Sequence, residues 1–352
     1  MVLTALVVSA ALAACGGSDG DSSGEEAAAG CGETPDTPRT TLTYELESAS
    51  ADDLAATAEV ICDRLEALDA DGKVATEGDD RLVLTLAGRA SEQIASAPTS
   101  QGLIYFYAFE PNVVPVPGSG LSQGEVTPAD LPDQAQNEYD AVELASEQQQ
   151  GECGEAGCAS PDPGFYLFER SSREYVAGPL PSRSELLGLD EAKAIAASDR
   201  AVFEVPVGTI VVEDQSPTGE GGSERYFVLR DDPALSGADI TDPEQSIDPN
   251  NQPNVTFDFT DEGREKFAAL TGEIAQKGAA AGEPYSFAIV LDGVIVSRPI
   301  IDFNENPDGI DGSDGAQISG GLTITEAQQL AEYLATGALP VPLRLISVEV
   351  EE

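Results

Sequence analysis

The stretch "YSFAIVLDGVIVSRPII" at residues 285–301 decides the fold of this chain. Two runs rich in β-branched residues flank Asp292-Gly293, and this dipeptide favours the two-residue turn of a β-hairpin. Apolar and polar residues also alternate in "NVTFDF" at 254–259, which is typical of a strand with one buried face. The sequence therefore predicts a sheet centred on an antiparallel hairpin.

Two amphipathic helices lie on either side of this hairpin in the sequence. Thr260 can cap the first helix, and its apolar residues share one face: Phe267, Leu270 and Ile274. Thr325 and Gln328 have the spacing of a capping box for the second helix, which Gly337 ends. A last strand follows, with alternating Ile346, Val348 and Val350. We predict an α+β subdomain over 234–352, with both helices on one face of the sheet.

The first part of the chain predicts a second α+β unit. Residues 42–46 alternate like a strand, and Ser50 with Asp53 forms a capping box for a helix. The helix has an apolar face made of Leu54, Ala58, Ile61, Leu65 and Leu68. Further strands are predicted at 73–77, 82–86 and 102–109, with a short helical piece at 91–97. This order predicts a ferredoxin-like β-α-β-β-α-β base over 41–110, which strands within 201–233 rejoin.

Residues 111–200 interrupt both patterns with prolines, glycines and polar runs, so we predict a loop-rich insertion. It contains Cys153 and Cys158, and Cys31 and Cys62 lie upstream. An even number of cysteines in an exported chain favours disulfides, and Cys153 and Cys158 are close enough in sequence to pair. Four cysteines allow three pairings, so Cys31–Cys62 is one alternative, and free thiols or a zinc site are others.

The first residues have the pattern of an export signal. Residues 1–14 are almost wholly apolar, but they are too few to span a membrane. Leu12-Ala13-Ala14-Cys15 resembles a bacterial lipobox, which implies cleavage before Cys15 and lipidation of its thiol. The Gly- and Ser-rich stretch that follows suits a flexible tether, predicted over 15–40. No Lys or Arg precedes Cys15, so a chance run of small residues before a free cysteine is the alternative.

Composition excludes several functions. The chain has 64 acidic and 17 basic residues, and a surface of this charge repels nucleic acid. It has no histidine, so it cannot form a Ser–His–Asp triad or a His-ligated metal site. No Gly-x-x-x-x-Gly-Lys loop is present for a nucleotide. We therefore predict a protein that is not an enzyme and has no cofactor and no metal site.

Four segments of the chain resemble, in order, the first large extracytoplasmic domain of the SecD family of protein-export subunits. They are "ALSGADITDPEQS", "VTFDFTDEGREKFAAL", "FAIVLDGVIVSRPII" and "AQISGGLTITEAQQLAEYLATGALPVPL", which lie within 234–343. Residues 42–110 resemble the base of that domain more weakly, and 111–200 have no clear counterpart. The resemblance implies a head and a base on the extracytoplasmic face of the membrane, beside the Sec translocon, where the domain holds emerging polypeptide.

This resemblance predicts a lipid-anchored module that binds unfolded exported polypeptides or Sec translocon subunits. No apolar run of spanning length follows residue 14, so we expect no proton coupling by this chain itself. Candidate client-binding residues on and just after the hairpin are Val294, Val296 and Ile300, although alternating β-branched residues also suit a core. The alternative function is a structural or envelope-assembly lipoprotein that reuses the SecD head fold.

Overall fold

The computed structural model describes residues 30–46, 50–88, 99–111, 137–151, 153, 157–214, 225–319 and 322–351. The predicted leader 1–14, Cys15 and the helical piece at 91–97 lie outside these ranges, so those expectations stay predictions. Within the described ranges, the structure contains no helix that is both long and apolar enough to cross a membrane.

The described chain mixes helices with runs of consecutive strands, which confirms the predicted α+β class. The helices are α1 (Ala51–Ala67), α2 (Glu138–Ser146), α3 (Arg183–Gly188), α4 (Asp190–Ala194), α5 (Asp261–Ala281) and α6 (Ile324–Thr336). The strands are β1 (Gly30–Cys31), β2 (Arg39–Leu46), β3 (Gly72–Glu77), β4 (Arg81–Ala87), β5 (Ile104–Ala108), β6 (Gly164–Glu169), β7 (Tyr175–Leu180), β8 (Arg200–Val205), β9 (Thr209–Asp214), β10 (Arg225–Arg230), β11 (Leu235–Ser236), β12 (Ile240–Ile247), β13 (Pro253–Phe259), β14 (Tyr285–Leu291), β15 (Val294–Ser297), β16 (Ile300–Ile301), β17 (Ala316–Ile318) and β18 (Leu343–Glu351).

The base is a five-stranded antiparallel sheet in the order β1-β3-β4-β2-β18, with α1 packed on one face. Ser50 caps α1 and forms the predicted capping box with Asp53. The buried face of α1 packs on leucines of the sheet, among them Leu42, Leu82 and Leu84. A disulfide between Cys31 and Cys62 joins β1 to α1. Residues from Gly30 onward, which were predicted as flexible tether, therefore belong to the base.

The head contains the large sheet, in the order β10-β9-β15-β14-β5-β11, with β16 also paired to β14. The predicted hairpin is confirmed: β14 and β15 pair, and the turn residues Asp292 and Gly293 have φ values of 48° and 84°. These left-handed values explain the Asp-Gly dipeptide, because glycine adopts them without steric cost. One face of this sheet packs against α5 through a phenylalanine-rich core that includes Phe106, Phe267 and Phe287.

Helix α6 lies against a separate three-stranded sheet in the order β12-β13-β17. Its N-terminal cap differs from the prediction. The Thr323 hydroxyl accepts the backbone N–H of Glu326, whose carboxylate accepts the N–H of Thr323. The predicted pair Thr325 and Gln328 has the same spacing, but the helix begins two residues earlier, so Thr323 and Glu326 form the capping box.

The inserted unit contains more regular structure than predicted. It forms a three-stranded antiparallel sheet in the order β7-β6-β8, and α2 packs on one face of this sheet. Tyr139 of α2 contacts Phe168 and Phe203 edge-on, with ring centroids 5.2 Å apart in both pairs. An aromatic core of this kind explains how a sequence rich in prolines and glycines still folds.

Three predicted boundaries are wrong. Strand β5 was assigned to the base, but it lies in the large sheet between β14 and β11. The predicted return strands at 201–233 belong elsewhere, since β8 completes the inserted sheet and β9 and β10 form one side of the large sheet. Strand β18 was assigned to the head, but it pairs with β2 in the base. The base is thus built from two distant parts of the chain.

Candidate functional site

A groove of about 470 Å³ lies between the large sheet and the inserted unit. On the sheet side it is lined by β5, β9 and the tip of the β14–β15 hairpin, and on the other side by the loop before β6 and by β7. We call it the sheet–insertion groove. Its lining residues are Gln101, Leu103, Tyr105, Ala159–Gly164, Tyr166, Pro179–Pro181, Val205, Thr209–Val211, Val290, Asp292 and Gly293.

The walls of this groove are mostly apolar. Tyr105, Ile210 and Val290 come from three different strands of the large sheet and lie on the face that does not contact α5. The opposite wall contains four prolines: Pro161, Pro163, Pro179 and Pro181. Proline rings have no N–H to satisfy, so they present apolar surface next to solvent without an unpaired donor. The groove can therefore accept apolar side chains.

A buried carboxylate fixes the loop that forms one wall. Asp231 is fully buried and accepts the backbone N–H groups of Ala159 and Ser160 at 2.9 and 2.8 Å. It also accepts the hydroxyl of Tyr107 at 3.1 Å. The disulfide between Cys153 and Cys158 closes the chain just before this loop. Two hydrogen bonds thus attach the wall to Asp231, the third joins Asp231 to β5 of the large sheet, and the disulfide is a covalent link beside them.

The other end of the groove is organised by the hairpin turn. The carboxylate of Asp292 accepts the N–H groups of Gly102 and Leu103 at 2.9 and 2.8 Å, and the hydroxyl of Ser100 also donates to it. This contact fixes the segment that leads from the base into β5. The groove therefore lies next to residues 100–103, which form one of the two connections between base and head.

Arg64 holds the same connection from the base side. Its side chain is fully buried in α1 and donates to the carbonyl oxygens of Ser100 and Gly337 at 2.5 and 2.7 Å. Its Nε donates to the hydroxyl of Thr336 at 3.2 Å, and its guanidinium lies 4.9 Å from the ring centre of Tyr333. A cation at the C-terminal end of α6 is also favoured by the helix dipole. Arg64 thus joins the base to both connections, near residues 100 and 337.

The electrostatics beside the groove suppress ionisation of tyrosines. Burial raises the pKa of Tyr107 well above its ordinary value, and the charge of Asp231 together with its hydrogen bond raises it further. Burial also raises the pKa of Tyr105, again with a contribution from Asp231. Both phenols therefore stay neutral, and the charged groups that line the groove are the carboxylates Asp162 and Asp292.

None of the three client-binding candidates from the hairpin lines this groove. Val296 packs against the main core of the head, and Val294 is half-buried where β15 pairs with β9. Ile300 is 68% exposed on the short strand β16, which pairs with β14. A role for these residues in client binding stays a prediction. Within the described ranges, no cluster of acidic or cysteine side chains has a geometry suited to a metal ion.

Sequence reasoning did not identify the groove residues. Tyr105 and Ile210 were predicted only as strand residues, and the prolines at 161–181 only as breaks in the pattern. The four prolines between 161 and 181 indicated turns, because proline fixes the backbone in turn conformations, but they did not indicate a groove wall. Their position opposite the large sheet could not be predicted, because it depends on long-range packing.

Comparison with a protein-family model covers the second part of the chain. Residues 211–341 match the family described as "SecDF, P1 head subdomain". The resemblance of this region to the SecD head is therefore confirmed, and it begins earlier in the chain than the residues that first indicated it. The match includes part of β9 and the whole hairpin, which contribute to the groove, but it does not include the loop at 159–164.

Curated relatives agree with this family. The protein translocase subunit SecD of Rickettsia prowazekii is 36% identical over 142 residues, which are 40% of this chain and 24% of that protein. The SecD subunit of Aquifex aeolicus is 29% identical over 188 residues, which are 53% of this chain and 32% of that protein. The chain thus matches about a quarter to a third of the length of these relatives.

Solved structures of SecDF are also similar. One, of SecDF in a super-membrane-facing form, aligns with 89% of this chain and 30% of its own length, at 20% identity and a TM-score of 0.45. Another, of a membrane component SecDF that enhances protein export, aligns with 87% of this chain and 98% of its own length, at 20% identity and a TM-score of 0.43.

Proposed function

We propose that this chain is a non-enzymatic extracytoplasmic module of protein export, and that it binds extended apolar segments of polypeptide in the sheet–insertion groove. The observation that carries the proposal is the groove itself, in which three strands of a SecD-like head form one wall. Its volume of about 470 Å³ accommodates a few side chains but not a folded domain. The curated relatives are subunits of a protein translocase, which supports a polypeptide as the ligand.

The chemistry of the walls favours an extended client. Aromatic-lined grooves bind extended peptide segments in other proteins, and Tyr105 and Tyr166 line this groove. The excess of acidic residues attracts segments that carry lysine or arginine beside their apolar residues. The acidic surface attracts these cationic segments and thereby raises their local concentration near the groove.

We further propose that the chain is held at the extracytoplasmic face of the cell membrane by a lipid on Cys15 and acts beside Sec translocon subunits. The lipobox-like Leu12–Cys15 supports the anchor. Mass spectrometry of the mature protein tests it, since a diacylglyceryl-modified Cys15 must appear as the first residue. An unmodified Cys15 in a longer chain would contradict the anchor and leave the groove proposal intact.

Binding of an unfolded polypeptide by purified protein tests the groove. Ile210→Gln and Leu180→Gln replace apolar groove residues without changing the net charge, and Ile247→Gln is a matched control on an exposed strand of another sheet. We expect the two groove variants to lower the affinity for a fluorescent, apolar and basic peptide by roughly tenfold, since each removes buried apolar area. The control retains the affinity of the original protein.

Thermal unfolding curves for all three variants show whether the fold is intact. Equal affinity in the groove variants and the control would contradict the groove as the binding site. Pull-down experiments that recover only envelope-structure partners, and no Sec subunits or exported chains, would favour the structural alternative.

A further inference from the structure

Strand β18 forms one edge of the base sheet and pairs with a neighbour on one side only. It is a nine-residue strand that pairs with β2 along most of its length. Among the described residues, no strand pairs with the backbone N–H and C=O groups on its other side. A long edge of this kind can add a strand from another polypeptide.

The face of β18 on the α1 side of the sheet is apolar and about half exposed in the part of the chain that the structure describes. Three of its residues lie opposite buried residues of β2, and the pairs are Leu345–Tyr44, Val348–Leu42 and Val350–Thr40. The β2 members are only 3–5% exposed, but Leu345, Val348 and Val350 are 48%, 54% and 50% exposed. Helix α1 therefore covers the neighbouring strands, and no other element of the described ranges packs on these three residues of β18.

The opposite face of β18 is acidic in its second half. Glu349 lies opposite Thr41 and is exposed, while Glu351 pairs with Arg39 at 2.7 Å. Because successive side chains alternate between faces, Val348 and Val350 alternate with these carboxylates along the strand. The edge thus combines an apolar stripe on one face with negative charge on the other.

We propose that β18 is a docking edge for an extended polypeptide strand that alternates apolar residues with lysine or arginine. The apolar side chains of the partner would extend the stripe beside Val348 and Val350, and its cations would lie beside Glu349 and Glu351. Opposite charges on adjacent strands stabilise pairing, and like charges oppose it. A second copy of this chain therefore fits poorly, since the copy carries the same carboxylates and a net charge of −47.

This edge is separate from the sheet–insertion groove, since it is in the base and shares no residue with the groove lining. The proposal can therefore fail or succeed without affecting the proposed function. A bulge between Leu345 and Ser347 interrupts the pairing of β18 with β2, and regular pairing then runs from Ser347 to Glu351. This bulge sets the extent of the docking edge.

Titration of the full chain with a synthetic peptide that alternates valine and lysine tests the docking edge. We expect binding that weakens with added salt, and new hydrogen-exchange protection of amides within 343–351 when the peptide is present. Val348→Glu and Glu349→Lys should each lower the affinity by roughly tenfold. Matched controls are Ile324→Glu, at a 55% exposed residue of α6, and Glu77→Lys, on an exposed residue of β3. Both should retain the original affinity.

Three outcomes would overturn the proposal. The first is equal binding by Glu349→Lys and Glu77→Lys, which keeps the test valid even if Val348→Glu does not fold. The second is a dimer in light scattering that Val348→Glu converts to a monomer, because a second copy would then occupy the edge. The third is strong protection, before peptide is added, of the β18 amides that do not bond to β2, because another part of the chain would then cover that edge.

Discussion

Arg64 is the residue on which the junction of base and head most depends. It is a buried cation whose donors are satisfied by carbonyl and hydroxyl oxygens of both connecting segments. Burial lowers the pKa of Arg64, but the ordinary pKa of arginine is so high that the side chain stays charged. The junction therefore depends on geometry, with one side chain reaching two chain segments that are distant in sequence.

Arg64→Ala is expected to lower the free energy of unfolding by on the order of 3 kcal/mol, because buried carbonyl oxygens lose their donors. Urea unfolding measures this loss. Hydrogen exchange should also become faster at residues 100–103 and 337–339, whose positions Arg64 fixes. The exposed Arg183→Ala on α3 is the matched control and should change little. Equal stability of the two variants would show that the junction does not need Arg64.

Glu332 provides a prediction about pH. Burial raises the pKa of Glu332, the nearby charge of Arg64 opposes that shift, and Oε1 of Glu332 has no hydrogen-bond partner. A carboxyl whose pKa is higher in the folded state binds a proton more readily there, so its contribution to stability falls as pH rises through this raised pKa. Glu332→Gln should therefore be more stable than the original protein at neutral pH, with the difference vanishing at acidic pH. Thermal melts from pH 4 to 8 measure it, and a constant difference across that range contradicts the assignment.

At the scale of single elements, the two disulfides make different contributions. Cys31–Cys62 has a sequence separation of 31 residues, and Cys153–Cys158 has a separation of 5. Closing the longer loop removes more entropy from the unfolded chain, which corresponds to about 4 kcal/mol against about 2 kcal/mol in the chain-entropy account. The two disulfides also have different neighbours, since the first joins β1 to α1 and the second lies beside the groove wall.

We expect Cys31→Ser with Cys62→Ser to lower the urea midpoint more than Cys153→Ser with Cys158→Ser does. The second pair should mainly weaken peptide binding, because its loop carries Ala159 and Ser160 to Asp231. Urea unfolding and the peptide titration, performed on both double variants, separate the two effects. The reverse order of midpoints would contradict this account.

Local sequence signals predicted the helices, strands and turns better than they predicted which strands pair with one another. The Asp292-Gly293 turn and the Ser50–Asp53 capping box were predicted correctly, because turn and cap chemistry depends on adjacent residues. The cap of α6 was misplaced, because two pairs with the required spacing lie next to each other at 323–328. Strand β5 was recognised as a strand but assigned to the wrong sheet. An alternating pattern shows which face is buried, and it does not identify the neighbouring strand.

At the scale of the whole molecule, the described chain leaves the base sheet after β4 and re-enters this sheet at β18. The sequence predicted the α+β class and the similarity to the SecD head, because both depend on ordered local patterns. The groove could not be predicted, since it forms where β5, β9 and the inserted loop meet after folding. Its position next to Asp292 and the connection at 100–103 links the proposed client site to the base–head junction.

The central claim is that exported polypeptide occupies the sheet–insertion groove. Site-specific photo-crosslinking in cells tests it most directly, with a photoreactive residue placed at Ile210 in the groove or at Ile247 on the exposed strand β12. The account predicts that Ile210 crosslinks to exported chains in transit and that Ile247 does not. Equal crosslinking at the two positions, or crosslinks from Ile210 only to envelope-structure proteins, would contradict it.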